Sequence, residues 1–595
     1  MELFSYTEVD LTSGFLHEKQ ELNRKITIDA VYERFLETGR IAAFACDYRE
    51  GEANKPHHFW DSDVAKWIEG AAYVLKKHPD PALECRVDEI IGEIEKNQGE
   101  DGYFNIFYTV VEPNGRWSDR DMHELYCAGH LMEAAVAYAE ATGKTVLLSC
   151  MEKYADYIYR VFVEEESAAF VSPGHEEIEL ALVRLYRYTG RKKYLEIAVH
   201  FINVRGSKRE TQLKKYSQAH LPVREQTEAV GHAVRALYLY TGMAFAAKET
   251  GDEALLRACR TLFEDITCRK MYVTGALGST YRGEAFTGAF DLPNAEAYAE
   301  TCAAIALMLF GNAMLALEND ARYADAVERA LYNCVLSGIS LDGKSFFYEN
   351  PLEIDLQARN HDFFGDPHYA ISERVACFKC SCCPPNLNRL LSSLGGYVYG
   401  WEGETLFVNQ YTASVLKAKG VCCRQRTEYP RTGMVKLKVE GAKKVALRIP
   451  AWCERFSLDH PYELHDGYAV VENDGGEILL ELDVAPRAVF ADPRVSRDVG
   501  CLCVMRGPVV YCAEGVDNGK CLHRYTVKLP LSCREVEGEF ALPSLEVDAT
   551  CCENFERGLY ANHAPRSTPA RLKLIPYHGF ANRGESDMLV WLHAK

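Results

Sequence analysis

Cysteine and glutamate carry the chemistry that stands out first. The densest cysteine cluster is ACFKCSCCPPNLNRLL (376–391), in which Cys382 and Cys383 are adjacent and followed by two prolines. Adjacent side chains diverge by about 100° in a helix. The Pro-Pro pair disfavours helical backbone at Cys383, so the spacing predicts an extended or turn conformation in which two thiolates can close on one ion. Two buried structural thiols are the other reading of a bare Cys-Cys pair. A second piece lies 80 residues upstream, in GEAFTGAFDLPNAEAYAETCAAIALMLFGNAML (283–315). There Glu300 and Cys302 flank one residue just before a long apolar helix. Together Glu300, Cys302, Cys382 and Cys383 offer three sulfurs and one oxygen, a set that favours zinc over magnesium or calcium. Cys377 and Cys380 crowd the cluster. A Cys-x-Cys-Cys site that binds metal without Glu300 is the competing ligand set.

The elements that must position these residues fall into two textures. The first ~395 residues read as helices, with apolar residues at helical spacing. A weak repeat runs through AGHLMEAAVAYAEATG (128–143), PGHEEIELALVRLYRYTG (173–190) and VGHAVRALYLYTG (230–242). Each segment has Gly-His near its start and closes on Thr-Gly, a helix C-terminal signal. Repeats of about 45–57 residues suit helical hairpins packed side by side, and a ring of them would set the Gly-His ends on one rim. From residue 400 onward short alternating runs appear, among them MVKLKV (434–439), KVALRIPAW (444–452) and EILLELDV (477–484), punctuated by Gly, Pro and Asp. They predict antiparallel β-sandwiches. The expected plan is a helical domain over 1–398, a β-sandwich over 399–500 and a second over 501–595. The last strand-like segment, DMLVWLHA (587–594), is free to return to either sandwich.

These stretches also resemble a known family. GEAF…DLPN…AYAETCA, SCCPPN and the intervening DGKSFFYENPL are similar to the β-L-arabinofuranosidases of glycoside hydrolase family 127. The likeness extends through TGRIAAF (38–44), HELYCAGH (123–130), PGHEEIELAL (173–182), RIPAW (448–452), RGPVVYC (506–512) and IPY…ANR (575–583), in order along nearly the whole chain. It implies an all-α (α/α)6 barrel catalytic domain followed by all-β sandwich, jelly-roll-like domains. It implies zinc held by Glu300, Cys302, Cys382 and Cys383, with Cys382 as nucleophile and Glu284 of GEAF as acid/base.

On that reading Cys382 attacks the anomeric carbon while Glu284 protonates the leaving oxygen. Two displacements then retain the anomeric configuration. Glu284 must begin protonated, which predicts a raised pKa. His123, His175 and His232 match the family's sugar-binding imidazoles, and Tyr348 is a further hydroxyl contact. His130 shares the Gly-His context. Glu328, on a helix expected to face the same region, is placed to hydrogen-bond a sugar hydroxyl or orient a metal ligand. His57, His58 and Trp60 lie on a loop-like stretch, at the pocket rim or on the surface. The implied activity is exo-acting release of L-arabinofuranose from a small oligosaccharide or glycoconjugate. Another pentofuranoside or branched sugar, a zinc-stabilised binding protein without turnover, and an epimerase or lyase on a similar barrel are the alternatives.

Composition narrows the partners. The 595 residues carry a net charge of −19, which excludes the basic footprint of a nucleic-acid binder and does not suit an anionic membrane surface. The start, MELFSYTEVDLTSGF, has no basic-then-apolar leader, and no run of 18 apolar residues occurs, so a cytoplasmic protein without a membrane span is expected. In such a chain the 22 cysteines read mainly as buried free thiols, Cys422–Cys423 and Cys551–Cys552 among them. A homodimer is expected from the family alone.

Overall fold

The computed structural model describes residues 1–359, 368–556 and 558–595. Six helices form an inner ring: α1 (Trp60–Lys77), α2 (Glu124–Thr142), α3 (Ile178–Thr189), α4 (Ala233–Thr250), α5 (Thr301–Leu315) and α6 (Cys383–Ser392). Each packs on the next, and α6 returns to α1, closing the ring. An outer helix accompanies each: Ile28–Glu37, Pro81–Asn97, Val146–Tyr159, Lys192–Val204, Glu253–Arg269 and Ala321–Ala330. This is the expected (α/α)6 barrel.

Sequence pattern separates the two layers. Helix α5, TCAAIALMLFGNAML, is apolar on all sides and nearly every residue of it is buried, as an inner helix requires. The outer helix Glu253–Arg269 buries Leu255, Ala258, Cys259, Leu262, Phe263 and Ile266, a one-sided stripe at helical spacing.

Two details of the repeat differ from expectation. Thr241-Gly242 does not end a helix; α4 runs on to Thr250 and closes at Gly251 in the left-handed region. Gly242 is instead a packing glycine. A Cβ there would stand 2.9 Å from Glu179 Cβ and 3.2 Å from Leu180 N on α3. Gly129-His130 likewise lies inside α2 rather than at its start. The residue that leads α2 is His123, in left-handed backbone at the N-cap.

The first β-domain is two six-strand sheets. Tyr399 of one sheet hydrogen-bonds Ser414 and Gln425 of the other across the shared core. Its sheets also recruit the N-terminus: Glu2–Leu3 pairs with Tyr399–Glu402, and Val9–Leu11 with Ser414–Ala418. Residues 1–11 therefore belong with this domain rather than wholly to the barrel. The domain ends earlier than residue 500, because Pro486–Val489 pairs with Cys501–Arg506 of the following sheet. That following sheet has ten strands, nine on its main path and Cys533–Val536 paired beside Ser544–Cys552, and it curls until Cys501–Arg506 also pairs with Val509–Glu514. The final strand, Leu592–Ala594, lies here, between Cys501–Arg506 and Tyr525–Val527, and does not return to the first sandwich. A short strand from the barrel, Glu353–Ile354, completes one edge.

Candidate active site and metal centre

All six inner helices begin at one end of the ring, and the residues just before or at their first turns line one cavity of about 270 Å³. Phe59, His123, His175, His232, Glu300 and Cys382 each come from the start of a different inner helix. Helix N-termini carry unpaired N–H groups and partial positive charge, a setting that favours thiolates and carboxylates.

The metal-binding candidates come together as four donors. Cys382 Sγ lies 3.6 Å from Cys302 Sγ and 3.8 Å from Cys383 Sγ, and Cys302 Sγ lies 3.3 Å from Cys383 Sγ. Glu300 Oε1 is 3.7 Å from Cys382 Sγ and 3.8 Å from Cys383 Sγ. A tetrahedral ion with ordinary metal–sulfur bonds spaces its sulfurs about 3.8 Å apart. Glu300 Oε2 is buried without a hydrogen-bond partner. Burial and the neighbouring Cys382 charge push the Glu300 carboxyl well above the usual range, and burial with Cys302 and Cys382 pushes the Cys383 thiol up. These donors repel one another when ionised, and a cation among them removes that cost. Cys380 lines the cavity 3.9 Å from the Tyr348 hydroxyl but is not in the four-donor group, and Cys377 turns to Ser381.

Local sequence explains the clustering. Glu300 is the N-cap of α5, and Cys302 lies in its first turn. Cys382 and Cys383 do not adopt the extended backbone expected of residues before Pro-Pro. Cys382 is helical (φ −70°, ψ −34°) at the N-cap and Cys383 opens α6. Prolines are tolerated in a first turn, where their missing N–H has no helical acceptor, so Pro384 and Pro385 start the helix rather than block it. Cys383 is fully buried, whereas Cys382 is partly exposed and reaches the cavity.

Glu284 faces the same cavity. It has left-handed backbone (φ 52°), and a two-strand ribbon pairs its neighbour Ala285 with His232. His232 Nδ1 accepts from the backbone N–H groups of Val234 and Arg235, which leaves the proton on Nε2. That Nε2 donates to Glu284 Oε2 at 2.6 Å. Tyr298 Oη donates to Glu284 Oε1 at 2.5 Å, and Tyr348 Oη lies 3.3 Å from the same oxygen. The predicted upward pKa shift is therefore reversed in the free site. Burial opposes ionisation, but His232, Tyr298 and Arg235 outweigh it and draw the carboxyl down to about 2. Tyr348 Oη also lies 3.4 Å from Cys382 Sγ, so one hydroxyl bridges the two groups. Tyr348 is placed by its backbone, whose carbonyl accepts from Thr301 N–H at 2.9 Å.

His123 and His175 form the adjoining wall, with ring centres 5.5 Å apart, and His232 continues it at 5.4 Å from His175. Burial, reinforced by Arg235, holds His123 and His175 well below the ordinary imidazole value, so both are neutral at pH 7. Phe59 lines the cavity; His57, His58 and Trp60 are not among the lining residues, although the ring of His58 stands 4.9 Å from that of His123. His130 and Glu328 are not among the lining residues. His130 is fully buried beneath Tyr126, with Nδ1 3.3 Å from Glu177 Oε1. Glu328 is spent on the domain junction: Arg448 Nη2 at 2.6 Å, Trp452 Nε1 at 2.9 Å and Tyr429 Oη at 2.7 Å all donate to it. Both its oxygens are thereby taken, and RIPAW is the motif that takes them. Sequence reasoning missed Asp63, Tyr126, Tyr298 and Arg235. Tyr298 stands two residues before Glu300 and Arg235 three after His232, spacings that could have flagged both.

Residues 8–396 match the family model described as the β-L-arabinofuranosidase, GH127 catalytic domain; 405–482 match the GH127 middle domain and 486–593 the family's C-terminal domain. The chain belongs to glycoside hydrolase family 127. A non-reducing end β-L-arabinofuranosidase of Bifidobacterium longum is 37% identical over 91% of this chain and 90% of its own length. The solved GH127 β-L-arabinofuranosidase of Geobacillus stearothermophilus T6 superposes with a TM-score of 0.93 at 40% identity, covering 99% of this chain and all of that one. A second solved GH127 β-arabinofuranosidase gives 0.91 at 34% identity, covering 100% of this chain and 98% of that one. As a member of this family the chain is a glycosidase. Among the described residues no helix is long and apolar enough to cross a membrane.

Proposed function

We propose that this glycosidase is a retaining, exo-acting β-L-arabinofuranosidase with Cys382 as nucleophile and Glu284 as general acid/base. The observation that carries the reading is the Tyr348 hydroxyl, 3.4 Å from Cys382 Sγ and 3.3 Å from Glu284 Oε1, in a cavity sized for one sugar unit. The nucleophile and the acid/base thus stand about as close as a double displacement needs. The relatives named above support the choice of sugar.

Glu300, Cys302, Cys382 and Cys383 fit a zinc ion in donor type and spacing. When bound, zinc keeps coordinating thiols deprotonated at neutral pH. Cys382 Sγ attacks the anomeric carbon, a C–S bond forms, and the breaking C–O bond sends its oxygen to the Glu284 proton. Water then attacks the same carbon, Glu284 takes its proton, and the C–S bond breaks. Held low by His232, Tyr298 and Arg235, the free carboxyl is ready for the second step. For the first it takes a proton from solvent as the glycosidic oxygen displaces the His232 or Tyr298 donor. His123 and His175, both neutral, contact sugar hydroxyls without adding charge. The 22 cysteines are all free, which suits action in a reducing compartment such as the cytoplasm.

A panel of p-nitrophenyl pentofuranosides and pyranosides, assayed before and after zinc removal, tests this. The β-L-arabinofuranoside should be cleaved with retained configuration, and activity should vanish on zinc removal and return with zinc. Inversion, full activity without zinc, or no cleavage of any arabinofuranoside would defeat the reading.

A further inference from the structure

The TGRIAAF segment takes no part in the chemistry above, yet Arg40 within it is almost wholly buried at the edge of the site. Its guanidinium joins three pieces of chain. Nε donates to Asp63 Oδ2 at 3.0 Å, Nη1 to Thr38 Oγ1 at 2.8 Å, and Nη2 to the Lys379 carbonyl at 2.9 Å, within the cysteine cluster. Phe35 and Trp60 pack against it, with ring centres 5.4 and 5.2 Å from the guanidinium carbon. Asp63 itself is fully buried in the first turn of α1 and lines the sugar cavity. One of its oxygens is thus committed. The other, Oδ1, is buried and has no hydrogen-bond partner.

Buried polar atoms are rarely left unpaired, and those that are call for a ligand or another partner. Asp63 shares this cavity with imidazoles and phenols, which either donate or accept, with Ser62 and Arg235, and with the carboxylates Glu284 and Glu300, which the proposed reaction and metal site already use. A carboxylate paired with a guanidinium only accepts. It therefore demands a donor at one point on the sugar, and a hydroxyl is the donor that a neutral sugar has. We propose that Asp63 is a specificity-determining residue: its Oδ1 accepts the hydrogen of one sugar hydroxyl while Oδ2 stays tied to Arg40. The inference rests on the reading of this cavity as the glycone site.

The test compares p-nitrophenyl β-L-arabinofuranoside with its 2-, 3- and 5-deoxy analogues, for the unaltered enzyme and for Asp63→Asn, which keeps the shape and an acceptor for Arg40. Cleavage of the parent compound by the unaltered enzyme tests the reading of function separately. If it is not cleaved, Kd values for free pentoses and their deoxy forms carry the same comparison. The unaltered enzyme should lose about 10- to 100-fold in kcat/KM, or in Kd, on one analogue through the missing hydroxyl. In Asp63→Asn that penalty should collapse to near onefold, while the other two penalties and the metal content stay unchanged. Three unaltered penalties, or activity lost uniformly together with metal, would overturn the proposal and leave Asp63 as a brace for the cysteine cluster. A measurement independent of the variant uses Kd for the free sugar with fluorine at the selected position. Fluorine cannot donate, so binding should be as weak as for the deoxy sugar; full binding would overturn the proposal.

Discussion

Glu284 sits among three donors, and under the proposed mechanism it has two tasks. His232 is fixed as an Nε2–H donor because the first N–H groups of α4 occupy its Nδ1. The Tyr298 and Tyr348 hydroxyls complete the set. Replacing the carboxyl by an amide removes proton transfer while keeping the shape. Glu284→Gln should lower kcat/KM on an alkyl β-L-arabinofuranoside by about 10²- to 10⁴-fold. The first step on a dinitrophenyl glycoside, whose leaving group needs no proton, should be far less affected, as a stopped-flow burst would show. Equal losses on both would deny Glu284 the role of acid. Tyr348 bridges Cys382 and Glu284, and the chain just after it is held by the C-terminal domain, where Tyr577 Oη donates to the carbonyls of Asn350 and Pro351 at 3.1 and 2.9 Å.

The helices supply convergence: one end of the ring delivers a side chain from the start of each inner helix. Where α2 meets α3, Gly129 makes the approach possible, since a Cβ there would fall 1.6 Å from Glu177 Oε2 and 2.9 Å from Ile178 Cα. Gly129→Ala should cost about 1–3 kcal/mol in denaturant unfolding through overpacking. An unchanged midpoint would show that the two helices can separate freely. This glycine also shows what the sequence could and could not reveal. The Gly-His pairs at 174–175 and 231–232 lie at helix starts and place their imidazoles in the cavity. The same dipeptide at 129–130 serves helix crossing, and its histidine is buried beneath the site. Local pattern does not distinguish a glycine needed for a turn from one needed for close packing. Glu300-x-Cys302 was legible because an N-cap followed by an unbroken apolar run has one reading. The helical backbone of Cys382 and Cys383 was not, because Pro-Pro marks a helix start as well as a break.

At the scale of the molecule, Glu328 shows how far a motif can lie from the chemistry it accompanies. It stands on an outer helix, fully buried, and receives Arg448 and Trp452 from the first β-domain. Arg448 is also paired with Asp325. Glu328→Ala would leave the buried Arg448 partly uncompensated, at a cost of about 3 kcal/mol. The expected outcome is a lower thermal midpoint with KM unchanged within about twofold; a raised KM with normal stability would restore Glu328 to the sugar site. The N-terminal strands and Glu353–Ile354, which join the β-domains from the barrel side, escaped the sequence reading because two- and three-residue strands carry no periodicity. They make the β-domains part of the scaffold around Tyr348 rather than appendages.

The claim on which the rest depends is that sulfur, not a carboxylate, attacks the sugar. It can be tested by treating the zinc-loaded enzyme with an electrophilic β-L-arabinofuranose mimic, such as an epoxide in the furanose shape, and mapping the adduct by peptide mass spectrometry. One sugar per chain is expected on Cys382, with loss of activity in step with labelling. A label on Glu284 or Glu300, or inactivation that persists unchanged in Cys382→Ser, would contradict it.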